Sequence, residues 1–127
     1  MVDPKGSEAV RPAGVTVGPS RHGRGVFAAR AFSKGDAVEA CPTLQLPDAD
    51  VVGHLGDYVF GSGTDGQVLL LLGFGMLYNH SDSPNLEYFQ DEPDVITFVA
   101  ARDIEAGEEL TIDYGREWWE GRGLEPD

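Results

Sequence analysis

Cysteine is nearly absent from this sequence, because Cys41 is the single one among 127 residues. No disulfide can form within one chain, no cysteine-based zinc site can be assembled from it, and we predict no metal. The N-terminus lacks the apolar segment that directs secretion, and no stretch approaches the length of a membrane span. We therefore expect a soluble intracellular protein without membrane contact, in the cytoplasm or, in a eukaryote or a virus, the nucleus. Cys41 itself is expected to be an inert buried residue.

Positive charge is also scarce. Nine lysines and arginines stand against 22 aspartates and glutamates, which gives a formal net charge of -13. Direct binding of nucleic acid is disfavoured, since it requires a basic surface. An acidic surface can instead steer a basic partner toward the protein, although ordinary solubility explains the same charge.

Long helical patterns are missing, whereas turn-forming residues are abundant. Seventeen glycines and eight prolines are spread along the chain, and no extended period of 3.6 residues occurs. Pro42 and Pro47 are expected to break the chain after a strand that ends at Cys41. The other predicted strands are 15–17, 26–29, 58–60, 68–72, a hairpin on either side of the turn at 91–94, and a last strand before Tyr114.

The length suits one compact domain. We predict a mostly β domain over residues 13–119, between a flexible N-terminal tail at 1–12 and a flexible C-terminal tail at 120–127. No internal repeat divides the chain.

Three short motifs stand out, and each has an ordinary structural explanation. HGRGVFA, residues 22–28, contains a Gly-x-Gly step at which backbone amides can approach a ligand, but a hairpin turn explains it equally well. MLYNHSDSPN, residues 76–85, follows an apolar strand, and its polar side chains can either cap their own loop or line a ligand pocket. GEELTIDYG, residues 107–115, ends in a tyrosine whose ring normally packs in a core.

The order and spacing of these motifs resemble the SET-domain protein-lysine methyltransferases. The resemblance spans roughly residues 14–119 and is strongest to the minimal single-domain SET proteins of an algal virus and of bacteria. It implies a β-clip-like SET fold of several short strands in small sheets, with a threaded, pseudoknot-like crossing near the cofactor site. It also implies S-adenosylmethionine as the cofactor.

The resemblance assigns the cofactor contacts to two motifs. The amides of Gly23 to Gly25 would receive the carboxylate end of S-adenosylmethionine. Main-chain groups of Asn79 and His80 would read the adenine edge, and the Asn79 side chain would help to hold the methionine portion. Arg24 stands where a close viral relative has an aromatic residue, so the resemblance does not define its contact with the cofactor.

The chain departs from many members of the family at one position. Those members carry a cysteine directly after Asn-His-Ser and a cysteine-rich tail, which together bind zinc, whereas Asp82 occupies that position here. Trp118 and Trp119 are the aromatic residues available to replace such a tail. We predict that Trp119 covers the cofactor and that Trp118 lines the lysine channel.

The remaining predicted site residues are tyrosines and one isoleucine. Tyr114 matches the invariant family tyrosine at the methyl-transfer pore, and Tyr58 matches a channel tyrosine of the viral relatives, so both are predicted to be catalytic and Tyr114 also to contact the cofactor. Tyr58, Tyr78 and Ile112 are predicted to line the lysine channel. Tyr88 lies outside every motif, and we expect its hydroxyl to be dispensable.

The implied function is S-adenosylmethionine-dependent N-methylation of lysine in a basic protein or peptide, histone-like or ribosomal, which the acidic surface would attract. The alternative is a non-catalytic SET module that binds a basic peptide or S-adenosylmethionine, and the presence of Tyr114 together with Asn79 and His80 argues against it. A ligand-free β-rich structural protein would require the three ordered motifs to be a coincidence. The small viral relatives also suggest a possible homodimer.

Overall fold

Short strands make up most of the fold. The structure, a computed structural model, describes residues 14–21 and 23–115, and the two predicted tails lie outside these ranges. The strands are β1 Val15–Ser20, β2 Gly23–Ala28, β3 Ala37–Pro47, β4 Phe60–Gly61, β5 Gln67–Leu71, β6 Asn79–His80, β7 Leu86–Glu92, β8 Val95–Ala100 and β9 Glu109–Ile112. Two 3₁₀ helices, Asp48–Asp50 and Gly53–Asp57, are the helical elements of the described residues. None of the helices in these ranges is long and apolar enough to cross a membrane.

The strands form two sheets, and the last strand joins distant parts of the sequence. One sheet has the order β1-β2-β9-β6, and the other has the order β4-β5-β3-β8-β7. The predicted hairpin at 91–94 is present as β7 and β8, and β1 with β2 and β4 with β5 form further antiparallel pairs. β9 then pairs with β2, so the C-terminal motif lies beside the Gly-x-Gly strand.

The strand that contains Cys41 is longer than predicted. It continues through Pro42 to Pro47. Its residues up to Pro42 pair with β8, and those from Thr43 onward pair with β5, so the predicted break at Pro42 is wrong. Proline lacks a backbone N–H and normally interrupts a ladder. Pro42 lies where the partner strand changes, and its carbonyl accepts from the Leu72 N–H at 2.9 Å. The missing donor therefore interrupts neither ladder.

The segment Asn79–His80 is a strand, not only a capped loop. It pairs with β9 in parallel, with Asn79 beside Thr111 and His80 beside Ile112. The buried side chain of Asn85 secures the exit of this segment, since its Nδ2 donates to the Glu109 carbonyl at 2.8 Å and its Oδ1 accepts from the Thr111 N–H at 2.9 Å. The segment is thus held against the last strand, where the resemblance implies the chain crossing.

Candidate active site

A cavity of about 470 Å³ is lined by residues from both sheets. Its volume lies within the range of small-molecule sites, roughly 300–1,000 Å³. The aromatic residues of the lining are Tyr58, Phe60, Tyr78, Tyr88 and Tyr114. All four tyrosines of the chain are among them. Asn79 and Ile112 also line the cavity, so most of the predicted site residues within the described ranges meet here.

The hydroxyl of Tyr114 is held in a defined direction. It donates a hydrogen bond to the main-chain carbonyl of Tyr78 at 3.0 Å. Burial raises the pKa of Tyr114, and the neighbouring Tyr58 raises it further, so the phenol stays protonated at neutral pH. Because its single hydrogen points to Tyr78, the oxygen of Tyr114 can act as an acceptor toward a ligand.

His80 anchors the backbone of Tyr114. Its Nδ1 accepts the Tyr114 N–H at 3.0 Å, and its Nε2 lies 2.8 Å from Oδ1 of Asp82. A neutral ring that accepts at Nδ1 carries its proton on Nε2 and donates it to the carboxylate. Asp82 occupies the position where zinc-binding members of the family that the chain resembles carry a cysteine. Here it fixes the orientation of the His80 ring, which in turn accepts the Tyr114 N–H.

The Gly-x-Gly strand approaches the Asn79 side chain closely. Nδ2 of Asn79 donates to the Arg24 carbonyl at 2.9 Å and to the Glu109 carboxylate at 2.8 Å. A Cβ on the buried Gly25 would collide with the Glu109 carboxylate and would stand 3.1 Å from Nδ2 of Asn79. Gly23 has a φ of +100° and is exposed. Because both Nδ2 hydrogens are engaged, Oδ1 of Asn79 is the atom able to accept from a ligand.

Tyr88, which lies outside every motif, also lines the cavity. Its ring packs edge-on against Phe60, with centroids 5.3 Å apart, and its hydroxyl lies 3.4 Å from the Asp113 carbonyl. The alternation of the strand places Leu86 and Tyr88 on one face, but that this face borders the cavity follows only from the tertiary structure.

Three predicted channel residues occupy different parts of the site. Tyr58 is 46% exposed and directly follows the second 3₁₀ helix. It precedes β4, which begins at Phe60 rather than at Tyr58 as predicted. The ring of Tyr78 is buried, and its hydroxyl donates to Glu39 at 2.6 Å, so Tyr78 presents its carbonyl to Tyr114 rather than its hydroxyl. Ile112 is buried in the cavity wall. Trp118 and Trp119 lie outside the described residues.

Cys41 is buried, as predicted, and does not line the cavity. Burial and the nearby Glu39 raise the pKa of Cys41 to about 12, so its thiol stays protonated and is a poor nucleophile. Within residues 14–21 and 23–115, no group of three or more histidine, cysteine, aspartate or glutamate side chains could hold a metal ion.

Comparison with known proteins identifies similarities over most of the chain. The model of the SET domain matches residues 23–115. A Schizosaccharomyces pombe histone-lysine N-methyltransferase, specific for H3 lysine-37, is 31% identical over 105 residues, which cover 78% of this chain and 71% of that protein. The crystal structure of a Plasmodium falciparum candidate histone methyltransferase superposes with a TM-score of 0.70 at 33% identity, covering 83% of this chain and 96% of the other.

Proposed function

This chain belongs to the SET-domain family and is a protein-lysine N-methyltransferase, and from this premise we propose that it uses S-adenosylmethionine to methylate lysine in a basic, histone-like or ribosomal protein. The family model and the solved structure confirm the predicted family and its mostly β fold. The single observation that carries the proposal is the meeting of Tyr114 and Asn79 in one aromatic-lined cavity.

The residues of this site suit the cofactor. The close approach of β2 leaves the backbone of the Gly-x-Gly step, Gly23 to Gly25, beside the side-chain amide of Asn79. A backbone donor and an amide oxygen are complementary to the carboxylate and the ammonium of an amino acid. We assign the methionine portion of S-adenosylmethionine to these groups. His80 contributes main-chain contacts from the neighbouring position of β6, and Trp119 remains a predicted contact.

The cavity can promote methyl transfer by favouring the neutral amine of a lysine side chain and by orienting it. S-adenosylmethionine supplies a methyl group on a positively charged sulfur. A lysine must lose its proton to react, against an ordinary pKa of about 10.4, and removal of the amine from water among the aromatic rings of the lining disfavours the charged ammonium. The oxygen of Tyr114, with its own hydrogen committed to Tyr78, can accept from the amine N–H and so orient the amine lone pair. Correct alignment of the reacting atoms supplies much of the acceleration.

The substrate class rests on charge and on similarity. The net charge of -13 favours the approach of a lysine- and arginine-rich segment, and Asp57 lies in the cavity lining beside the exposed Tyr58. The Schizosaccharomyces pombe relative is described as acting on a histone. These observations support a histone-like substrate over a neutral or acidic one.

The direct test is transfer of a labelled methyl group from S-adenosylmethionine. We would incubate the protein with core histones, with a basic ribosomal protein fraction and, as a control, with an acidic protein, and locate the label by mass spectrometry. The expected result is label on lysine of a basic substrate. Label on none of them, with no measurable binding of S-adenosylmethionine, would contradict the proposal.

We expect S-adenosylmethionine and its demethylated product to bind without any metal. The reason is the single cysteine of the chain, which cannot build the cysteine zinc cluster used by many relatives. Titration calorimetry on protein treated with a chelator should give the same dissociation constant as untreated protein. Binding that appears only after zinc is added would refute this expectation.

Ile112 should permit products beyond monomethyl-lysine. It lies in the cavity wall two residues before Tyr114, where a tyrosine hydroxyl could hold a water molecule that opposes a growing methylated amine. Isoleucine has no such hydroxyl. Mass spectrometry after exhaustive reaction should therefore detect dimethyl- or trimethyl-lysine, and Ile112→Tyr should shift the products toward monomethyl-lysine. Exclusive monomethylation by the unchanged protein would disprove the role.

A further inference from the structure

Glu39 is a buried acidic residue that the sequence analysis did not single out. It lies on β3 and is 7% exposed. Its Oε1 accepts the Tyr78 hydroxyl at 2.6 Å, and its Oε2 accepts the Phe74 N–H at 2.8 Å. Among the described residues, both of these partners of the Glu39 carboxylate are uncharged hydrogen-bond donors, not the cation of a salt bridge. The Cys41 thiol also bonds to this carboxylate. A buried carboxyl group is unfavourable unless it is hydrogen-bonded, and three uncharged donors meet that need here.

The bonds that Glu39 receives from Phe74 and Tyr78 come from one segment, residues 73–78, which lies between β5 and β6. Gly73 has a φ of +79°, and a Cβ there would stand 2.5 Å from Oε2 of Glu39. A Cβ on Gly75 would stand 2.9 Å from the Cys41 sulfur. The segment is therefore pressed against β3, with Glu39 bonded near its beginning and at its end. Gly75 and Tyr78 face the cavity from this segment.

A chain of contacts leads from Glu39 to the reactive part of the cavity. Glu39 holds the hydroxyl end of Tyr78, and the ring of Tyr78 packs on Phe98 with centroids 4.7 Å apart. The main-chain carbonyl of the same Tyr78 receives the Tyr114 hydroxyl at 3.0 Å. Burial and the charge of Glu39 raise the pKa of Tyr78, so its hydroxyl remains a donor and the link persists at physiological pH.

We propose that Glu39 is a positioning residue for methyl transfer, which sets the place of the Tyr78 carbonyl and through it the direction of the Tyr114 hydroxyl. Glu39 acts from behind the cavity wall and touches neither substrate nor cofactor. The proposal rests on the methyltransferase function proposed above. It predicts an effect on turnover that exceeds any effect on cofactor binding, because the Asn79 side chain is held separately by the Arg24 carbonyl and the Glu109 carboxylate.

Glu39→Gln is the principal test. The amide keeps the shape and can still accept the Phe74 N–H, but its NH₂ group then faces the Tyr78 oxygen. The Tyr78 hydroxyl hydrogen therefore loses its acceptor, and the contact that fixes this side chain is weakened. We expect kcat to fall by about tenfold or more through misalignment, with the dissociation constant of S-adenosylmethionine within about twofold of the original. Tyr78→Phe breaks the same link from the other side and should act in the same direction. The double variant should be no slower than the slower single variant, because both changes act through one contact.

A second readout does not depend on activity. All four tyrosines line the cavity, so NMR spectra of protein labelled at the tyrosine ring carbon that bears oxygen report on this site alone. Glu39→Gln should shift the resonances of Tyr78 and Tyr114. Thr97→Val is the matched control, because Thr97 is equally buried at 7% exposure, its hydroxyl lies 3.5 Å from Asp91, and it is not part of the cavity lining.

The outcomes separate this proposal from the proposed function. Unchanged kcat and an unmoved Tyr114 resonance in Glu39→Gln would overturn the positioning role, as would an equal loss of kcat in Thr97→Val at matched melting temperature. If the unchanged protein transfers no methyl group at all, the proposed function fails, and the Tyr114 resonance alone decides whether Glu39 positions the hydroxyl.

Discussion

Tyr114→Phe should lower the rate of methyl transfer by on the order of a hundredfold while leaving most of the affinity for S-adenosylmethionine. The ring still packs against His80, with centroids 5.2 Å apart, and the backbone N–H still donates to His80. The change removes one hydroxyl, which is bonded to the Tyr78 carbonyl. If that hydroxyl orients the amine, a misplacement of about one ångström is enough for a loss of this size.

This variant should remain folded under the assay conditions. The Tyr78 carbonyl loses a donor, and an unsatisfied buried group costs roughly 1–3 kcal/mol, which a lower melting temperature would report. No tyrosine of the chain lies outside the cavity, so Thr97→Val, which also deletes a buried hydroxyl, serves as the control. Steady-state rates are compared at a temperature where both variants are folded. Equal rates in the two variants would make Tyr114 only a packed ring and would contradict its catalytic role.

Gly25→Ala should weaken the binding of S-adenosylmethionine by more than about tenfold, corresponding to at least about 1.4 kcal/mol. The added methyl group would collide with the Glu109 carboxylate and crowd Nδ2 of Asn79. Either the Glu109 carboxylate moves and releases Nδ2 of Asn79, or β2 separates from β9. Both changes displace the groups assigned to the methionine portion. The free energy of unfolding should also fall by about 1–3 kcal/mol, because the site has no room for another carbon atom.

Gly18→Ala is a closely matched control for this substitution. Gly18 pairs with Gly25 across the β1–β2 ladder, and neither has a φ in the left-handed region. A Cβ on Gly18 would meet only the Phe27 ring, at an ordinary distance of 3.6 Å. Calorimetry should therefore give an unchanged dissociation constant for Gly18→Ala. Equal weakening by both alanines would show that strand geometry, not the contact with Asn79, governs the affinity.

Local sequence signals located several strands well. The alternation and the turn at 91–94 predicted the hairpin of β7 and β8, and the aliphatic run at 68–72 predicted β5. These predictions hold because turn chemistry and a side-chain period of two act between neighbours in sequence. Pro42 shows the limit, since its place inside β3 depends on two partner strands that the local sequence does not specify.

The sequence by itself determined the family, the mostly β character and the set of residues around Asn79 and Tyr114, because three motifs in order carry that information within short stretches. Only the tertiary structure decided that Glu39 holds Tyr78, that Tyr88 lines the cavity and that Asn79 pairs with the last strand. These contacts join residues 25 to 39 positions apart in the sequence. No local pattern encodes them, since each arises from the pairing of strands and the burial of polar groups that must find partners once water is excluded.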